Sequence, residues 1–151
     1  MKAGILMRFV LAWVLAVVVA AALGSIVQSV YNMSAIAGLG VDVPIREWFR
    51  APAHDLVFFA PFWAAVVAVA LLLGLPVAAL LARLLGGGRH SLYFLAGGVA
   101  VMFALGLMAT VLPITPIAAA RFPTAMALMA LGGAVGGLVF ARLTPGRAAA
   151  G

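Results

Sequence analysis

The sequence predicts an all-α integral membrane protein of four transmembrane helices, with both termini on the cytoplasmic side. Three observations make that prediction. Hydrophobic residues are 68% of the 151 and charged residues only 8%, far from the balance of a soluble domain, so the solvent is lipid. The apolar residues gather in four runs, at about 9–30, 62–85, 92–112 and 124–141, uncharged but for Arg83 near the end of the second, each close to or beyond the length that crosses a hydrocarbon core of about 30 Å. The charges sort by side. Lys2, Arg8, Arg83, Arg89, Arg142 and Arg147 fall on one, and Arg46, Arg50 and Arg121 fall on the other with Asp42, Glu47 and Asp55. Lysine and arginine collect on cytoplasmic loops, which sets the orientation. Residues 1–151 are read as one domain. A single lysine among nine basic residues, with abundant Ala and Gly, has the composition of a GC-rich bacterial chain, so the expected location is the bacterial inner membrane.

The first span is the packing spine. Ala12, Ala16, Ala20 and Gly24 recur every four residues and lead into Ser25, Gln28, Ser29 and Asn32, which share one helical face at i, i+3, i+4 and i+7. A ladder of small side chains lets another helix approach, and the hydrogen-bonding patch at its end expects a partner there. A signal peptide would need a shorter apolar core than this run offers.

The connection from Tyr31 to Asp55 holds all three acids. Gly38 and Gly40 break the first helix, and Asp42-Val43-Pro44 starts a short amphipathic one with proline in its first turn. Ile45, Trp48 and Phe49 lie on one side and Arg46, Glu47 and Arg50 on the other, so this helix lies in the outer headgroup layer. It serves there as a lid or docking surface, or only as a lipid anchor. Pro61 marks a turn, Leu56 to Ala60 stay at the interface, and Trp63 is a further interfacial anchor. In the second span Pro76 cannot bond the carbonyl of Leu72, which predicts a kink.

Arg83, the glycines 86–88, Arg89 and His90 make a basic turn, and Ser91 caps the third span. Pro113, Pro116 and Pro123 punctuate the next connection. The tail after Arg142 is expected to be disordered. Aromatics form two belts, with Tyr31, Trp48, Trp63 and Phe122 at the outer level and Phe9, Trp13, Tyr93 and Phe140 at the inner. Gly132, Gly133, Gly136 and Gly137 form overlapping small-xxx-small pairs in the last span, and Ala96, Gly97, Ala100 and Ala104 answer them from the third. The two spans are expected to pack closely through Gly133 and Gly137.

The chemistry classes are limited by what they require. Cysteine is absent, which removes disulfides, thiolate metal sites and cysteine nucleophiles. None of the four spans holds a carboxylate, histidine or lysine, and their one charge is Arg83 at the end of the second, so the usual mark of a proton relay or ion path is missing from their interior. Asp42 with Asp55 as an acid pair, and His54 beside Asp55, are pairs by sequence alone. The net charge of +6 is scattered singly at span ends, unlike the basic face that binds nucleic acid. We therefore expect no enzyme, no cofactor, no metal and no nucleic-acid partner. Two functions remain. One is a structural or accessory subunit, partnered by the bilayer and by other membrane subunits or itself. The other is a small channel or transporter subunit with an uncharged polar path. Gln28 lies about 13 Å outward of the first span's centre, at 1.5 Å per residue, and beyond Phe9 the inner part of that helix offers only Ala, Val, Leu and Trp13. That favours the subunit.

Overall fold

The computed structural model describes residues 2–111, 117 and 121–145. Pro113, Pro116, Arg147 and the tail lie outside them. The described residues form five helices: α1 Lys2–Gly38, α2 Ile45–Phe58, α3 Ala60–Leu84, α4 Arg89–Val111 and α5 Pro123–Leu143. Four of these, all but α2, are long and apolar enough to cross a membrane, as in an all-α membrane protein. They form a ring in which each packs on two neighbours, in the order α1, α3, α4, α5 and back to α1. Each neighbour in the ring runs antiparallel to the next, as short connections impose. α2 rests on α1 and α3 at the end of the bundle opposite the start of α1 and the end of α5.

The boundaries differ from expectation in three places. α1 reaches Gly38, so Tyr31 to Ala37 is helix and not connection. At 37 residues and 1.5 Å each it is about 55 Å long, well beyond a bilayer core. It stops where Gly40 takes φ +81°, a conformation that suits glycine. α2 is longer than a turn or two, because Leu56 to Phe58 complete it and Pro52 sits within it. Ser91 is not a cap. Gly86 and Gly88 take φ of +69° and +68°, the turn closes on them, and α4 already begins at Arg89.

Proline meets α3 and α5 where the missing N–H does no harm, with Pro61 and Pro123 in their first turns. Pro76 lies inside α3, which runs on past it to Leu84.

The core is made of backbone approach on one side of the ring and of side chains on the other. α5 buries two faces. Toward α4, a Cβ at Gly133 would fall 2.6 Å from the Gly97 carbonyl oxygen, and one at Gly137 would fall 2.1 Å from that of Tyr93. Toward α1, a Cβ at Gly136 would meet the Ala16 carbonyl at 2.7 Å, and one at Gly132 the Ala20 carbonyl at 3.4 Å. The alanine ladder of α1 is thus the seat of Gly132 and Gly136. Contacts this close give the dispersion that must replace the hydrophobic drive in lipid. Ala100 belongs elsewhere than expected. Its methyl lies 2.8 Å from where a Cβ of Gly74 would be, so it seats α3, while Gly97 of the proposed small face answers Gly133 and Gly137.

Two arginines bind the end of α5. Arg8 Nε donates to the Leu143 carbonyl at 2.8 Å. Arg89 donates through Nη1 to the Ala141 carbonyl and through Nη2 to Thr144 Oγ1. The last carbonyls of a helix lack internal partners and carry partial negative charge, so cations from α1 and α4 satisfy both needs.

Candidate functional site: a polar node beneath α2

Ser25, Gln28 and Ser29 lie on the inward face of α1, at 0%, 5% and 0% exposure. Their 3.6-residue spacing continues the alanine ladder, so the rotation that buries Ala16 and Ala20 also buries them. Asn32 shares the face but is only half-buried, one turn further toward the bundle's edge. Three of the four predicted polar residues are therefore brought together.

The partner of the patch is Asp55 of α2. Ser29 Oγ donates to Asp55 Oδ2 at 2.6 Å and also lies 3.0 Å from the Ser25 carbonyl. A hydroxyl has one hydrogen, so it serves one acceptor at a time. The carboxylate contact is the shorter and is charge-assisted. His54 Nδ1 stands 3.6 Å from Asp55 Oδ1, and its ring stacks on Phe58 at 4.4 Å between centroids. Asp55 was not foreseen as part of this patch. Its signal was present: Trp48, Ala51, Pro52 and Asp55 recur at helical spacing and are the half-buried stripe of α2. Trp48 alone of the expected apolar side belongs to that stripe, since Ile45 and Phe49 are each 74% exposed. Asp42 is exposed in the connection before α2.

Trp63 is a correction. Expected as an interfacial anchor, it is fully buried, and its indole fills the notch left by Gly24. A Cβ on Gly24 would fall 2.2 Å from Trp63 Nε1. The ladder of small residues in α1 thus has two uses, backbone contact with α5 and room for a ring from α3. Trp63 Nε1 and Ser25 Oγ are buried without a hydrogen-bond partner among the described residues, whereas Gln28 is not left unpaired. Unmet groups of this kind cost about 1–3 kcal/mol each, so the node holds polarity in excess of its own bonds. A second link closes its rim, where the hydroxyls of Tyr31 and Thr124 bond at 2.8 Å and Tyr31 packs on Phe122.

The expected inner belt is also a cluster. Tyr93 stacks on Phe140 with an interplanar angle of 18°, Phe9 adds to the pair, and Arg89 lies 5.0 Å over the Tyr93 ring. No group of three or more His, Cys, Asp or Glu side chains able to hold a metal occurs among the described residues.

Fold and site together define a class: a small all-helical bundle with four helices of membrane-crossing length, sealed by small residues and capped at one end by a carboxylate-bearing polar node. In comparison with known proteins, no protein family, no curated protein and no solved structure matches the chain.

Proposed function

We propose that the chain is a structural or accessory subunit of a bacterial inner membrane that works through helix packing and catalyses no reaction. Both termini face the cytoplasm in this reading, following the charge ledger. α2 then lies in the outer headgroup layer with Ile45 and Phe49 turned to lipid, and it offers an assembly surface to other membrane subunits or to a second copy.

The observation that carries the reading is the closed seam below the node. Ala16 and Ala20 touch Gly136 and Gly132 at backbone distance, so the polar groups of α1 end a packed interface, with no water-wide path leading on from them between α1 and α5. One observation favours the second reading, a channel or transporter subunit: the Asp55 carboxylate beside Ser29 gives the patch a charge.

A paired measurement on Gln28→Leu separates the two. Co-purification of membrane partners is followed alongside solute flux into proteoliposomes. The subunit reading expects weakened association, by about 0.6–2 kcal/mol for an interhelical polar bond, with no flux above empty liposomes in either protein. Flux in the wild type that disappears in the variant would overturn it. For orientation, a reporter active only outside the membrane should give signal when fused after Gly40 and none after Gly87. Signal at Gly87 would reverse the topology.

A further inference from the structure

We propose that the cleft between α1 and α3 at the end of the bundle that carries the termini holds one anionic phospholipid, its phosphate at Arg83 and Arg89 and one acyl chain in the slot above them. The inference requires only that the bundle sits in a bilayer, and it is independent of the subunit and channel readings.

The slot is an apolar cavity of about 470 Å³ lined by Phe9, Trp13, Leu72, Leu75, Pro76 and Ala79, among others. α1 and α3 meet at the other end, where Trp63 enters the notch at Gly24, and between their lower halves this cavity stays open. A second cavity of about 670 Å³ continues it toward the termini and shares Phe9, Ala79 and Tyr93 with it. The walls of this second cavity change character, with Arg83, Gly86, Gly87 and Arg89 among them.

Length and charge both point to a lipid. From Arg83 to Leu72 is 83 − 72 = 11 residues of α3, about 16 Å at 1.5 Å each, and one leaflet of a core of about 30 Å is about 15 Å deep. The arginines therefore stand at headgroup level while the slot ends near the midplane. Lys2, Arg8, Arg83, Arg89 and Arg142 all belong to this end, whereas the three acids of the chain, Asp42, Glu47 and Asp55, belong to the other. No Asp or Glu side chain stands at this end to balance them. Arg89 spends two donors on α5 and retains others of its five, and Arg83 is exposed beside it. Guanidinium groups bind phosphate through paired N–H donors, and basic pockets between membrane helices take anionic headgroups. A second copy inserted in the same direction would bring its own arginines to the same level, so like charges oppose it.

The test uses the purified chain in mild detergent and counts retained lipid by native mass spectrometry, with phosphatidylglycerol and phosphatidylcholine offered in equal amounts. The variants are Arg83→Gln at the headgroup, Ala79→Phe in the slot, and Leu80→Phe, an exposed position outside both cavities, as control. Wild type and Leu80→Phe should retain phosphatidylglycerol preferentially. Arg83→Gln should lose about fivefold of that preference, the effect of one basic residue near a lipid surface. Ala79→Phe should lower retention of phosphatidylglycerol while leaving the circular dichroism and lipid-free melting of the wild type in place. Equal retention of the two lipids by the wild type, or retention unmoved by both Arg83→Gln and Ala79→Phe, would overturn the proposal. So would inorganic phosphate that displaces the lipid completely at millimolar concentration, since the chain would then contribute nothing to binding.

Discussion

α5 and α3 run in the same direction on opposite corners of the ring, and each is held between the same two neighbours, α1 and α4. They are held by different means. α5 buries Gly132, Gly133, Gly136 and Gly137 and touches backbone on both sides. α3 buries one stripe of Trp63, Val67, Leu71, Leu75 and Ala78, touches α4 through Gly74, and leaves an open slot against α1. The contrast shows where lipid is kept out. Without a hydrophobic drive between helices, seams seal where glycine lets main chains meet, and the seam filled by bulky side chains keeps an open slot.

The contrast can be broken most forcefully at Gly137. Any side chain there enters the Tyr93 carbonyl, and main chain cannot step aside as a rotamer can. Gly137→Leu should lower stability in detergent by on the order of 1–3 kcal/mol, the range for overpacking, and unchanged melting would mean that α4 and α5 do not touch there. Gly24 tests the other corner. Gly24→Ala should cost about 1–3 kcal/mol by pressing on the Trp63 indole, and pairing it with Trp63→Phe should return part of that loss. A melting series on the double-mutant cycle measures the coupling, and strict additivity would sever the two residues. The gentlest probe is Gly106, on α4, where an added Cβ meets nothing within 4 Å. Gly106→Ala should be neutral or stabilising by up to about 1 kcal/mol, the gain in helix propensity. A loss there would reveal a contact on what is otherwise an open face.

How much of this could be read from the sequence depended on the range of the interaction. The long helices were legible because hydropathy is local and lipid enforces it. Gly133 and Gly137 were legible as a packing pair because spacing alone states it. The ladder of Ala12, Ala16 and Ala20 announced close approach but not its partner, since α5 carries small residues on two faces and periodicity cannot say which neighbour takes which. Trp63 was misplaced for a related reason. Tryptophan near a span end suits the interface by its chemistry, and only the missing side chain at Gly24, far away in sequence, decides otherwise. Asp55 lay within reach of the periodic argument. Following the stripe of α2 past Arg50 would have turned its carboxylate toward α1, although nothing local names Ser29 as the acceptor's partner.

The junction between α2 and α3 carries a mechanical consequence. Phe59, the single residue between them, keeps helical angles of φ −90° and ψ −41°. The bonds from Phe59 N to the Asp55 carbonyl and from Trp63 N to the Phe59 carbonyl carry helical bonding across it, with one rung missing at Pro61, which has no N–H to give the Val57 carbonyl. The joint is main chain in helical conformation and not a loop, so α2 is less a tethered flap than a handle on α3. Force applied to that handle would enter α3 within about a helical turn of the Trp63 ring, and the Ser29–Asp55 bond would oppose it.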